Sequence, residues 1–378
     1  MSEVLVVVGP GVVADTRLLG EIADREFASQ GVTGAVAFAE DPTHLQVLLG
    51  TCEAAVVLDR PTGQVTTPPV TVWVDLERTD SGEGVRRIQG RGVQGLAWGI
   101  RHAVHRMRYP GIRRVTYGTE PDQWADLYVP ETRRHENGRD GAQKPWTTAE
   151  TGLPVVALIH GGYWRSIWAA DLMEPLCADL LGRGFAVWNI EYRRPDLHGW
   201  DATTSDIATA LSTLHDTGAT GAAGLDLSRV AVAGHSAGGQ LALRAAADGA
   251  RVTLAVSLAG VLDLEAGDRR WLSAGAVAAA LGHPSLGRPP GPPGPSRSDR
   301  YAESSPLRRV PLGVPQLIVQ GAEDDLDLVD FSRRYAVAAR AAGDDVTYLE
   351  LPGGHFDVIA PTAPIWQAAV SAITDALR

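Results

Sequence analysis

The sequence predicts an α/β protein of two units, each built on a mostly parallel sheet. Three observations carry that expectation. Short apolar, partly β-branched runs alternate with stretches of helical spacing, the order of strands and crossover helices in a parallel sheet. A basic connector, Arg108–Arg114, interrupts this alternation early in the chain. The chain of 378 residues is also longer than one hydrophobic core ordinarily organises.

The first unit, 1–108, takes its strands at Val4–Val8, Gly34–Phe38, Glu53–Leu58 and Val70–Val74. Helical spacing covers Thr16–Gln30, the short stretch His44–Gly50, and Leu96–Met107. The opening apolar run has no basic residue ahead of it, so it reads as a strand and not as a signal peptide.

The second unit, 113–378, opens with Val115–Gly118 and Gln123–Pro130, an antiparallel pair expected at a sheet edge. Glu131–Gly152 is polar and reads as a surface loop. Strands follow at Pro154–Ile159, Phe185–Ile190, Arg229–Ala233, Val252–Ser257, Gln316–Gly321 and Val346–Leu351. Helices are expected at Ala169–Gly182, Thr204–Leu214, Gly239–Ala247 and Ala363–Leu377. The segment 262–314 carries the proline-rich run Arg288–Pro295, which neither a helix nor a central strand accepts, and reads as a lid with a flexible loop.

Composition limits what these units do. Hydrophobic residues make up 44% and charged residues 21%, the balance of a soluble globular protein. A net charge of −11 argues against nucleic acid or an anionic membrane as the main partner, and a small-molecule substrate is expected. Cys52 and Cys177 form neither a disulfide framework nor a metal motif. A cytoplasmic protein without metal or organic cofactor is expected.

Chemistry centres on Gly234-His235-Ser236-Ala237-Gly238, a G-x-S-x-G sequence between a predicted strand and a predicted helix. That context makes a nucleophile elbow: the small residues let the chain turn sharply and lift the serine hydroxyl above the sheet. Upstream, His160-Gly161-Gly162 ends a strand, where a glycine pair lets backbone N–H groups converge on an oxyanion, with the Ala237 N–H as a further donor. The serine needs a base oriented by a carboxylate. Downstream, His355 follows a strand and Pro352-Gly353-Gly354, whereas His283 lies in the lid. Asp324 is the preferred acid, Asp325 the runner-up, and Glu323 the least favoured of the three. Tyr163, Trp164 and Trp168 follow the glycine pair and suit a flat aromatic substrate. Glu191 and Tyr192 are expected to support the glycine loop by hydrogen bonding.

Two resemblances add to this. With Val4–Pro10, Pro69–Val74 and Gly92–Ala97, the first unit resembles type II 3-dehydroquinate dehydratase, a flavodoxin-like fold. That family's tyrosine is missing from Gly11–Thr16, and its histidine from Asp75–Asp80. The resemblance therefore implies a retired enzyme kept for packing or assembly, with ligand binding or homo-oligomer formation open to it. With His160–Trp164, Glu191–Arg193 and Gly234–Gly238, the second unit resembles the α/β-hydrolases, and among them kynurenine formamidase and related carboxylesterases. This implies that Ser236 attacks a formyl amide or ester, His355 carries the proton, and Asp324 orients the imidazole. A general carboxylesterase is the alternative. A binding protein on a hydrolase fold is a further one, which the intact order of serine, acid and histidine disfavours.

Overall fold

The computed structural model describes residues 3–59, 65–77, 87–130, 152–216, 224–283 and 297–378. The stretch 131–151 and the run 288–295, both expected as loops, lie outside them. The chain divides into two compact units, Met1–Ile112 and Arg113–Arg378.

The first unit is a parallel sheet of β1 (Val4–Val8), β2 (Gly34–Phe38), β3 (Ala54–Leu58), β4 (Val70–Asp75) and β5 (Arg87–Gln89), in the order β2-β1-β3-β4-β5. This is the order of a flavodoxin-like sheet. The central strands are buried on both faces, so they are apolar nearly throughout, and alternate residues serve opposite layers. Val6, Val56, Leu58, Val72 and Val74 pack with the helices Thr16–Gln30 and Gly95–Arg108. Val7, Ala55, Val57 and Trp73 pack with Leu45 and Leu49 of the helix Pro42–Leu49. Asp15 starts the first helix by accepting the Leu18 N–H at 2.8 Å, and Gly31 ends it in the left-handed conformation at φ 63°.

The second unit is an eight-stranded sheet ordered β13-β12-β11-β10-β8-β9-β7-β6. Its strands are β6 (Arg113–Thr116), β7 (Trp124–Tyr128), β8 (Leu153–Ile159), β9 (Ala186–Ile190), β10 (Leu225–His235), β11 (Leu254–Leu258), β12 (Gln316–Gly321) and β13 (Val346–Leu351). Antiparallel pairing is confined to β6 with β7 and β7 with β9; the pairs from β9 to β13 are parallel. Val155, Ala157 and Ile159 of β8 face a core shared with the helices Trp200–Leu214, Ala237–Ala247 and Leu326–Ala341. Val156 and Leu158 are buried on the other face.

Several elements differ from expectation, among them β5, which no expected strand covers. The helix Leu326–Ala341 was not among the expected elements, although Leu328, Phe331, Tyr335 and Ala339 recur at helical spacing along it. Expected helix Ala169–Gly182 begins as a 3-10 turn, Ala170–Met173, and becomes α-helical at Glu174, beside Pro175. The described parts of 262–314 are four short helices, Leu264–Arg269, Ala276–Leu281, Arg297–Ser304 and Pro306–Arg309. Leu264, Leu272, Val277, Leu281 and Tyr301 of this segment join the core of the unit. Among the described residues no helix is long and apolar enough to cross a membrane.

Candidate active site

β10 runs straight into the helix Ala237–Ala247, and Ser236 is the single residue between them, at φ 55° and ψ −119°. No side chain fits at the flanking glycines. A Cβ on Gly234 would lie 2.0 Å from the Gly238 carbonyl oxygen, and one on Gly238 2.1 Å from that of Ile159. The turn is therefore possible only with this pentapeptide's spacing. Ser236 shares its positive φ with few other described side-chain-bearing residues. Among the described residues, the non-glycine positions with positive φ are Tyr163, Trp164, Ser236, Ala259, Trp271, Ser273 and Ala274. Such conformations cost of order 1–3 kcal/mol each and cluster at functional sites.

Gly161 abuts the serine: a Cβ on it would sit 2.9 Å from the Ser236 Cβ. Gly162 takes φ 109° and lies against the Trp168 ring. Ala237 is the first residue of its helix, so its N–H has no partner within the helix. The loop carrying the glycines, 160–170, is fastened by the chain after β9. The fully buried Glu191 carboxylate holds both ends, facing His160 Nε2 at 3.3 Å and accepting the Ala170 N–H at 2.9 Å. Tyr192 donates to the His160 carbonyl at 2.9 Å and stacks on its ring, while Asp196 accepts from Ser166 N–H and Oγ–H. Arg194, itself buried, neutralises Glu191 and reaches Asp122 at 2.7 Å.

The loops after β12 and β13 bring Asp324 and His355 together, Asp324 Oδ2 accepting from Nδ1 at 2.9 Å. The same oxygen accepts from Gln320 Nε2 at 2.9 Å, and the other from the Asp325 N–H. Burial raises the Asp324 carboxyl, but His355 and these N–H donors outweigh it and hold it below its ordinary range. Asp325, the runner-up, instead caps the next helix by accepting the Asp327 N–H at 2.8 Å. His235 ties this pair to the elbow. Its Nε2–H donates to the His355 carbonyl at 3.0 Å, and the two rings pack 4.7 Å apart. Burial, with His355 beside it, lowers the His235 pKa to about 3, so the ring stays neutral.

The expected aromatic residues separate. Tyr163 is half-buried beside Asp325 and Asp324, and Trp168 packs on Gly162. Trp164 does not line the site. It is 2% exposed, with Nε1 donating to Gln240 at 3.0 Å and its ring edge-on to Trp200, so its apolar bulk belongs to the core. Gln320 and His235 join the site without having been singled out. A cavity of about 240 Å³ between the helices Trp200–Leu214 and Ala237–Ala247, lined by residues such as Leu211 and Arg244, contains none of these groups. Among the described residues no cluster of His, Cys, Asp or Glu is arranged to hold a metal ion.

A family model described as the alpha/beta hydrolase fold matches residues 156–359, more than half of the chain. The chain belongs to the α/β-hydrolase family. Its fold is similar to that of a bacterial heroin esterase, at 25% identity and a TM-score of 0.54, covering 71% of this chain and 84% of that one. It is also similar to carboxyl esterase 2 of the mycorrhizal fungus Tuber melanosporum, at 18% identity and a TM-score of 0.53, covering 71% and 87%. A thermophilic esterase from Thermogutta terrifontis matches at 18% identity and a TM-score of 0.51, covering 70% and 92%. No curated protein matches the chain in sequence. This α/β-hydrolase thus has esterases among its structural neighbours.

Proposed function

We propose that this α/β-hydrolase is a serine hydrolase cleaving a small aromatic N-formyl amide or carboxylic ester through an acyl-enzyme on Ser236. One observation carries the reading: the Asp324–His355 hydrogen bond, joined through His235 to the turn that bears the serine. Ser236 Oγ attacks the carbonyl carbon while its proton passes to His355 Nε2. The carbonyl electron pair moves onto oxygen, where the N–H groups of Gly161, Gly162 and Ala237 stabilise it. Collapse expels the amine or alcohol, which takes the proton from His355. Water then gives a proton to His355 and attacks the acyl carbon; expulsion of Ser236 Oγ returns that proton and frees the acid. Asp324 accepts the Nδ1–H throughout and so keeps Nε2 available as the base.

The motifs His160–Trp164 and Gly234–Gly238 support the formyl amide, and likeness to a protein named a heroin esterase supports the ester. Tyr163 and Trp168 supply aromatic surface near the glycine loop. The first unit we assign as a dehydratase-like domain without catalysis, serving packing or assembly in a cytoplasmic protein. Ser236→Ala is expected to abolish hydrolysis of p-nitrophenyl acetate while leaving the fold intact by circular dichroism. Unchanged turnover would sink the mechanism. N-formylkynurenine assayed beside short aryl esters separates the substrates, and a formyl-amide rate at background moves the assignment to the ester.

A further inference from the structure

Arg165 lies three residues beyond Gly162 in the glycine loop and is half-buried. Its neighbours in the unit show how such a charge is usually met: Arg193 ends on Asp206 and Arg194 on Asp122 and Glu191. Arg165 ends on a peptide oxygen, donating from Nη2 to the Ser273 carbonyl at 2.8 Å, and no described carboxylate pairs with it. A guanidinium offers five N–H donors, so one tether fixes the side chain and leaves most of the fork open. A partly desolvated cation without a counter-ion is costly unless something supplies the anion.

The surroundings place this charge at the site. Burial and the Asp325 and Asp324 carboxylates raise the Tyr163 hydroxyl pKa, while Arg165 and Ser273 act on it in the opposite sense. Arg270, three residues before Ser273, pairs with Asp327 at 2.7 Å, so the segment that receives Arg165 is fixed beside the turn that carries Asp324 and Asp325. The segment that receives Arg165 is itself under strain, with Trp271, Ser273, Ala274 and Gly275 all at positive φ. Trp271, 57% exposed, lies with its ring against Gly275. A chain of net charge −11 repels anions at long range, so it needs a local cation to retain one.

We infer that Arg165 determines specificity by binding an anionic group, a carboxylate, on the aromatic substrate of Ser236. This rests on the serine-hydrolase reading and adds the substrate's charge to it. The test compares 4-acetoxybenzoate with its neutral methyl ester as the ratio of their kcat/KM values. In Arg165→Gln that ratio falls about tenfold to a hundredfold, the worth of a hydrogen-bonded charge. An unchanged ratio overturns the inference even if both rates drop, because that pattern reports only the lost tether to Ser273. Should Arg165→Gln not fold, Arg165→Met takes its place in the same comparison, and an unchanged ratio overturns the inference. Should the wild-type protein cleave neither ester, the serine-hydrolase reading fails separately. Benzoate titrated into Ser236→Ala, followed by tryptophan fluorescence, then settles Arg165. Affinity about tenfold weaker on adding Arg165→Gln supports it, and equal affinity or no binding overturns it.

Discussion

His235 spends its one N–H on the His355 carbonyl and is too deeply buried to take up a proton easily. The consequence for stability has a definite sign. In the unfolded chain the ring titrates near 6.5, in the folded protein near 3, so the unfolded state binds the extra proton between those values. Stability from this group is full above pH 6.5 and is lost as the pH falls toward 3. Between pH 7.5 and 5.5 the wild-type protein is expected to lose about 1.4 kcal/mol more unfolding free energy than His235→Gln. Urea titrations of the two proteins check this, and parallel losses would refute it. The site's spacing was readable at this scale because Ser236, His355 and the glycines are constrained locally, by turns that admit few residue types. The sequence ranks Asp324 ahead of Asp325 without excluding either: only folding shows that one meets His355 and the other caps a helix. Trp164 misled because a strand-end aromatic looks the same in sequence whether it turns outward or into the core.

At the scale of elements, the glycine loop is a strap held at both ends by one side chain. Glu191 receives the His160 ring at one end and the Ala170 N–H at the other, so its loss loosens both ends at once and leaves the loop to Tyr192 and Asp196. A misplaced oxyanion donor acts in the transition state, and removing one elsewhere costs about 10²–10³ in kcat. Glu191→Gln is accordingly expected to lower kcat for p-nitrophenyl acetate by about tenfold to a hundredfold, with a much smaller change in KM. Steady-state kinetics on protein shown folded by circular dichroism checks it, and a change confined to KM would contradict it. The alternation of strands and helices was legible because burial on both faces leaves β8, β11, β12 and the second half of β10 largely apolar. The packed helices between β11 and β12 were less so. Proline and glycine dominate the middle of that segment's sequence, while Leu264, Leu272 and Tyr301 reveal their role only once the core they fill exists.

For the whole molecule, the second unit holds its own core, and all the groups proposed for catalysis belong to it. Residues 113–378 alone are therefore expected to fold and to hydrolyse p-nitrophenyl acetate. If they fold but are inactive, the first unit completes the site. The order β2-β1-β3-β4-β5 makes the first unit recognisable as a complete sheet of its own.

The left-handed residues of the glycine loop and of the segment 271–274 also bear on how this protein would respond to selection. Tyr163, Trp164, Trp271, Ser273 and Ala274 each hold a backbone shape that glycine adopts more cheaply. A library screened for heat tolerance would be drawn to those few positions. A second screen, for turnover, would reject many of the same clones, because the relaxed backbone no longer presents the surroundings of the serine. Endurance and speed in this protein are thus coupled through a short stretch of chain, and improving both requires changes placed elsewhere.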